Sequence, residues 1–128
     1  MSLHVELVSP ERILYSGEAE MVVCRTAEGG EIAFLTGHAP FLGALDIGLV
    51  RIKTTAGTEE VAAVHGGFVE VRNNRVTILS DVAELASQVD ADRALRAKEA
   101  ALAAGADDGE AAMAARRAEI RLAAAAGL

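Results

Sequence analysis

The first 84 residues contain short runs in which apolar and polar side chains alternate, separated by turn-forming residues. Clear examples are residues 3–7, 31–35, 49–53 and 61–65. A period of two places the apolar side chains on one face of an extended chain, so each run predicts a half-buried β-strand. Because no long helical stretch separates the runs, parallel crossover connections are excluded. The pattern favours an antiparallel sandwich or barrel of roughly eight to ten strands.

The clearest predicted strand pair joins residues 68–72 to residues 75–79 through the Asn73-Asn74 pair. Asparagine tolerates the left-handed backbone that a two-residue hairpin turn requires. Alternation along the first strand places Val69 and Val71 on the same face of this predicted hairpin.

After Leu85 the apolar spacing changes to that of a helix. Asp90 is a good N-cap for a helix over residues 91–104, because its carboxylate can accept hydrogen bonds from the first free backbone N–H groups. Gly105 is expected to end this helix, since glycine readily adopts the left-handed backbone found after helix ends.

A second helix is predicted to begin after Asp107 or Asp108 and to reach about Ala126. The connection between the helices is short, so they are expected to be antiparallel neighbours in a helical hairpin. The larger apolar side chains predict a thin seam on each helix, formed by Leu95 with Leu102 and by Met113 with Ile120.

The amino-acid composition changes at the same place as the spacing of apolar residues. Almost half of the residues from 91 to 126 are alanine. We therefore predict two domains, a β-sandwich over residues 1–84 and a helical hairpin over residues 85–128. A buried methylene contributes about 0.8 kcal/mol, and an alanine side chain offers little more than one such group. The hairpin is expected to be held weakly and to dock, undock or extend according to what it binds, although a permanently docked hairpin stays open as an alternative.

The 12 basic and 19 acidic residues give a formal net charge of −7. Such a charge repels phosphate backbones and acidic lipid surfaces, which disfavours nucleic acid as a partner and direct lipid insertion. No apolar run approaches the length of a membrane span, and the start of the chain does not resemble a signal peptide. The single cysteine, Cys24, is predicted to be a buried thiol. These features predict a soluble, intracellular protein.

Motifs that would carry catalysis do not occur in the sequence. A phosphate-binding loop is missing, and the three histidines lie too far apart in the predicted structure for a metal-binding helix. No nucleophile, base and orienting group stand at a recognisable spacing, so an enzyme is disfavoured and no cofactor is required.

Two turns carry candidate partner contacts. Gly37 and Pro40 define a tight loop that would display His38, and displayed loop residues often meet partners. Glu31 would lie on a neighbouring loop tip beside Gly29 and Gly30. An ordinary turn and a solvated charge are the alternatives for these two positions.

A third candidate lies at the start of the first helix. Arg93 would stand in the first turn, where a cation opposes the helix dipole, so it is expected to pair with an acidic group or an anion. Together with Glu84 and Asp90 it predicts an anion or nucleotide site. The alternative is that Asp90 is only a cap.

Three segments, Glu28–Glu31, Thr36–Leu42 and Val64–Val71, resemble in order and spacing the epsilon subunit family of the F-type ATP synthase. The likeness extends over the whole chain. It implies an N-terminal β-sandwich of about ten strands followed by a C-terminal helical hairpin.

The resemblance also implies a function. Members of this family are non-catalytic central-stalk subunits that turn with the rotor, coupling proton flow to ATP synthesis at the cytoplasmic face of the bacterial plasma membrane. It implies that Glu31 contacts the ring of c subunits and that His38 contacts the gamma subunit. The hairpin is implied to reach the alpha/beta catalytic hexamer conditionally and to restrain ATP hydrolysis.

In some bacterial members ATP is a regulatory ligand that holds the hairpin folded, and the resemblance assigns Glu84, Asp90 and Arg93 to that nucleotide site. The second helix offers only three basic residues for an acidic catalytic surface, so a reduced or absent restraint is a second expectation. A β-sandwich regulator with an ATP-responsive hairpin and no synthase partner also stays open.

Overall fold

A computed structural model describes residues 2–105 and 109–126 of the chain. Strands come first and helices last. The strands are β1 (Leu3–Val8), β2 (Ile13–Thr26), β3 (Gly30–Leu35), β4 (Phe41–Thr54), β5 (Glu59–Arg72), β6 (Arg75–Leu79) and β7 (Ala83–Leu85). A 3₁₀ turn (Ala86–Gln88) leads to the helices α1 (Ala91–Ala103) and α2 (Gly109–Ala125).

The strands form one sheet in the order β1-β6-β5-β4-β2-β3, and β1 also pairs with β2. This last pairing closes the sheet on itself, so its inward side chains make a single enclosed core. The predicted sandwich or barrel followed by two helices is therefore confirmed. The expectation of purely antiparallel pairing is wrong at one place, because β1 and β6 run parallel.

The expectation of about ten strands is also wrong, since the described residues form seven. Strands β2, β4 and β5 are each 14 residues long and run through positions that read as breaks in the sequence. Gly43, Gly48 and the Gly66-Gly67 pair lie inside strands. Gly66 and Gly67 have φ values of 90° and 123°, so they bend β5 without ending it.

The predicted hairpin at Asn73-Asn74 is confirmed. Both asparagines have positive φ, at 50° and 59°, and β5 pairs with β6 from Phe68 opposite Leu79 onward. Val69 and Val71 are buried in the core as the alternation predicted.

The core of the closed sheet is aliphatic apart from Phe34. Fully buried side chains come from most strands and include Leu3, Leu7, Val22, Ile52, Val64 and Ile78. Cys24 is buried among them, which confirms the predicted packed thiol, and burial raises its pKa to about 12.

Helix α1 begins after Asp90, whose Oδ1 accepts a hydrogen bond from the backbone N–H of Arg93 at 3.0 Å. The predicted N-cap is thus confirmed. Gly105, just beyond the helix end, has a φ of 101°, as expected of a glycine that follows a helix. The cap of the second helix was predicted at Asp107 or Asp108, which lie outside the described residues.

The predicted apolar seam is wrong for Leu95, Leu102 and Met113, whereas its fourth member, Ile120, is half-buried against the sheet. Leu95, Leu102 and Met113 are 47%, 53% and 38% exposed. The buried side chains of both helices are alanines, namely Ala94 and Ala101 on α1 and Ala111, Ala115, Ala118 and Ala124 on α2. Methyl-sized side chains allow helix backbones to approach closely, which displaces the larger side chains to the outer faces.

Helix α2 lies against the outer surface of β4 and β5. Ala124 packs with Val61 and Ala63 in a small second cluster, which half-buried side chains such as Ile120 and Val89 extend. The hairpin is therefore docked on the sheet.

Candidate functional site

A pocket of about 400 Å³ lies where the hairpin meets the last strand. Its lining includes Glu84 in the middle of β7, Asp90 and Arg93 at the start of α1, and Arg121 from α2. All three residues predicted for a nucleotide site thus face the same pocket. We refer to it as the hairpin pocket.

The N-terminus of α1 shapes one side of the hairpin pocket. One oxygen of Asp90 is engaged in capping, because it accepts from the backbone N–H of Arg93. Within the described part of the chain, no carboxylate lies within ion-pair distance of the Arg93 guanidinium. Arg93 is exposed, so its charge is available to an anion in the pocket.

The opposite side of the pocket carries an ion pair between the two parts of the molecule. Arg121 Nε donates to Glu84 Oε1 at 2.5 Å, joining α2 to β7. Because Arg121 is paired with Glu84, Arg93 is the cation of the described lining that is left to meet an anion, while the nearby Asp90 balances its formal charge. Sequence reasoning missed the place of Arg121, since nothing in the chain links residue 121 to residue 84.

His65 lies beneath this ion pair and was also missed as a site residue. Its side chain is 3% exposed, and its Nε2 lies 4.0 Å from Glu84 Oε1. Burial, followed by the positive charge of Arg121, lowers the pKa of His65 to about 4.

A second ion pair ties α2 to β4. Arg116 Nη2 lies 3.2 Å from Asp46 Oδ2, and Arg25 Nε lies 3.9 Å from the same oxygen. Burial alone would raise the pKa of Asp46, but a hydrogen bond from the Ile47 backbone and the bond from Arg116 lower it overall.

Glu31 lies at the start of β3, is exposed, and does not line the hairpin pocket. It borders a shallow pocket of about 530 Å³, together with Glu28 and the apolar side chains Ile32, Phe41 and Leu42. Two carboxylates beside an apolar floor suit a partner segment that combines a basic and an apolar side chain.

His38 is half-buried, whereas the sequence predicted a displayed side chain. Its ring meets the edge of Phe34 with 4.9 Å between centroids, and its Nδ1 lies 2.7 Å from the carbonyl oxygen of Ala39. The Gly37 N–H donates to Asn74 Oδ1 at 2.7 Å, which fixes this loop against the β5–β6 turn.

An apolar row crosses the outer face of the closed sheet. Each residue of the row lies directly opposite the next one on the neighbouring strand, in the order Ala44, Phe68, Leu79, Val8 and Ile13. Phe68, Leu79 and Ile13 are 57%, 49% and 59% exposed. A contiguous exposed apolar surface of this kind indicates an interaction site.

Together these features define a class of protein, a small closed β-sandwich with a docked helical hairpin, one apolar outer face and a charged pocket at the hairpin. Residues 2–86 match the family described as the ATP synthase delta/epsilon chain, beta-sandwich domain. The chain belongs to the ATP synthase epsilon chain family.

Close relatives carry that name. The ATP synthase epsilon chain of Streptomyces avermitilis is 48% identical over 120 residues, covering 94% of this chain and 92% of the relative. That of Streptomyces coelicolor is 47% identical over 125 residues, covering 98% and 96%. The Brevibacillus brevis epsilon chain is 48% identical over 97 residues, covering 76% and 73%.

A solved structure shows the same fold. A chain in the cryo-EM structure of the Euglena gracilis mitochondrial ATP synthase, which contains OSCP, F1 and the c-ring, matches with a TM-score of 0.74. It is 22% identical, and the match covers 94% of this chain and 75% of that one. In the described part of this chain, no helix is long and apolar enough to cross a membrane.

Proposed function

We propose that this chain is a non-catalytic central-stalk subunit of an F-type ATP synthase, which couples proton flow through the membrane sector to ATP synthesis. Membership of the epsilon chain family supports this assignment. As part of the complex, the chain would be a peripheral protein at the cytoplasmic face of the bacterial plasma membrane. It requires no cofactor of its own.

The apolar row is the observation that carries the proposal. It presents Phe68 and Leu79 to solvent from a closed sheet that already has a complete core. We assign this face, with the neighbouring His38 loop, to the gamma subunit. A rigid closed sheet suits the transmission of torque, because its strands cannot slide without breaking many hydrogen bonds at once.

This assignment is tested by binding to the cognate gamma subunit. The double variant Phe68→Ser with Leu79→Ser is expected to weaken binding at least about tenfold, because full burial of a large apolar side chain contributes about 1.5–3 kcal/mol and about half of each of these two is exposed before binding. Leu95→Ser with Leu102→Ser, exposed leucines on the hairpin, is the matched control and should bind normally. Normal binding by the first variant would contradict the assignment.

We further assign Glu31 to the c-subunit ring. Its exposure beside Glu28 and the apolar floor of Ile32 and Leu42 supports a contact with a polar loop that carries a basic residue. Glu31→Lys is expected to reduce coupling of proton flow to ATP synthesis in membranes, with Glu20→Lys, an exposed acid on β2 outside the assigned surfaces, as the control.

The hairpin pocket is assigned to ATP as a regulatory ligand that holds the hairpin docked. The unpaired Arg93 would meet phosphate, and the free oxygen of Asp90 would accept from the adenine amino group or the ribose. Calorimetry with ATP should show binding by the full chain that Arg93→Ala weakens by more than tenfold. Arg96→Ala, an exposed neighbour that does not line the pocket, should bind as the native chain does.

When the hairpin is released, it would reach the alpha/beta catalytic hexamer and restrain ATP hydrolysis. Hydrolysis rates of the complex with the full chain and with a chain stopped at Leu85 test this role. Equal rates would remove the restraint from the proposed function and leave the stalk role intact.

A further inference from the structure

His65 lies on the face of β5 that α2 covers. Val61 and Ala63, four and two residues earlier on the same face, pack against Ala124 of α2. The His65 side chain is 3% exposed, and no described group of the protein hydrogen-bonds to either ring nitrogen. A buried imidazole without a partner is uncommon, because desolvation of a polar group is normally offset by a hydrogen bond.

The charged groups around this imidazole come from two elements. Glu84 of β7 approaches Nε2, while α2 contributes the positive charges of Arg121 and Arg117. On β4 the register partner is the apolar Ile47. The Glu84 carboxylate favours a proton on His65, but it also holds Arg121, and burial together with the charges of Arg121 and Arg117 outweighs its attraction.

We propose that His65 is a pH-sensitive latch for the hairpin: the neutral imidazole permits α2 to dock, and its protonation releases the hairpin and opens the hairpin pocket. Protonation beneath the docked helix would bury a cation under two guanidinium groups, which costs more than protonation of a solvated histidine. The latch rests on the movable hairpin of the proposed function.

The coupling between proton binding at His65 and docking of the hairpin sets the direction of the pH effect on docking and the pH range in which it occurs. In the docked chain burial lowers the pKa of His65 from 6.5 to about 4. The released form therefore binds the proton more tightly, so docking is strongest above pH 6.5 and weakens progressively between pH 6.5 and 4. The ratio of docked to released chains is expected to fall about 30-fold between pH 7.5 and 5.

The experiment uses the full chain without any partner. Spin labels on Glu70→Cys and Glu99→Cys, in a Cys24→Ala background, report the distance from α1 to the sheet. The measurement is made at the urea concentration that releases half of the hairpins at pH 7.5. Lowering the pH to 5 should then leave about one chain in 30 docked.

In His65→Gln and in His65→Leu, the same drop in pH should change the ratio of docked to released hairpins less than twofold. The glutamine keeps a polar side chain and the leucine restores an apolar contact, so poor packing of one variant leaves the other informative. His4→Gln, which removes a histidine from β1, should follow the native pH dependence. An equal pH dependence in native chain and both His65 variants would overturn the latch.

A further arm separates the latch from the proposed function. ATP at pH 7.5 should shift the label distances towards the docked state in native chain and His65 variants alike. A hairpin that ATP stabilises, but that pH releases equally in all variants, overturns the latch alone. A hairpin that separates from the sheet only when the sheet itself unfolds overturns both the latch and the movable hairpin.

Discussion

The sheet and the hairpin of this protein are held by different forces. The closed sheet encloses a continuous core of branched aliphatic side chains with Phe34, and each strand is paired along its length. In the described part of the chain, the hairpin buries alanine methyl groups and meets the sheet through one small cluster and two ion pairs, Arg121 with Glu84 and Arg116 with Asp46. Burial of apolar surface therefore stabilises the closed sheet much more than it stabilises the docked hairpin, because an alanine methyl group removes little surface from water.

This contrast assigns different tasks to the two parts. A large aliphatic core gives a rigid body, whereas a contact made from small side chains and partly exposed charges can be broken at modest cost. Substitutions in the sheet should therefore cause large losses in the stability of the whole chain, whereas substitutions at the hairpin contact should cause smaller losses that affect docking. Four predictions test this difference, from the largest expected effect to the smallest.

Truncating the core should have the largest effect. Phe34→Ala removes a fully buried ring from the closed sheet and is expected to lower the free energy of unfolding by about 3–5 kcal/mol. Urea denaturation measures the loss. Leu95→Ala on the outer face of α1 is the control and should change it by less than about 0.5 kcal/mol. A similar loss in both variants would contradict the contrast between the two parts.

The bend of β5 should be the next most sensitive feature. A Cβ at Gly67 would lie 2.1 Å from the carbonyl oxygen of Leu79, and the residue has positive φ. Gly67→Ala is expected to cost more than about 2 kcal/mol. Gly57 also has positive φ, at 89°, but open space around it, so Gly57→Ala should cost about 1 kcal/mol. Thermal unfolding of both variants separates the clash from the backbone strain.

Loss of the main hairpin contact should affect docking and spare the sheet. Arg121→Gln removes the partly buried bond to Glu84 and is expected to weaken docking by about 1–2 kcal/mol. Amide hydrogen exchange in α1 and α2 should become about tenfold faster, with strands β4 and β5 unchanged. Arg96→Gln, on the exposed side of α1, should leave exchange as it is. Faster exchange throughout the chain would mean that hairpin and sheet unfold as one unit.

The more exposed contact of Asp46 should have the smallest effect, and that effect should depend on pH. Because its pKa is lowered in the folded chain, ionised Asp46 stabilises the docked hairpin above pH 3.8, its ordinary pKa, and this stability is lost as the pH falls from 3.8 through the lowered pKa. Asp46→Asn should therefore weaken docking by less than about 1 kcal/mol at pH 7, and the difference should shrink as the pH falls below 3.8. A difference that does not shrink in that range would rule out the ion pair as its source.

Local features were predicted well from the sequence. The Asn73-Asn74 turn, the Asp90 cap and the glycine after α1 depend on backbone preferences of one or two residues, which the sequence carries directly. Burial of Val69 and Val71 follows from a period of two. The resemblance to the epsilon family named Glu84, Asp90 and Arg93, and these residues do line one pocket.

Features that depend on packing between distant segments could not be predicted in this way. Glycines that normally interrupt strands lie inside 14-residue strands, because pairing with neighbours on both sides outweighs their local preference. Leu95 and Leu102 face outward, since the helices approach more closely across alanine.

The sequence by itself therefore determined where turns and helix ends lie, which stretches alternate and which family the chain resembles. Only the tertiary structure decided that the sheet closes through a parallel β1–β6 pair, that Arg121 meets Glu84, and that His65 is buried beneath them. Such contacts join residues far apart along the chain. Their free energy exists only once the sheet has closed and the hairpin has docked.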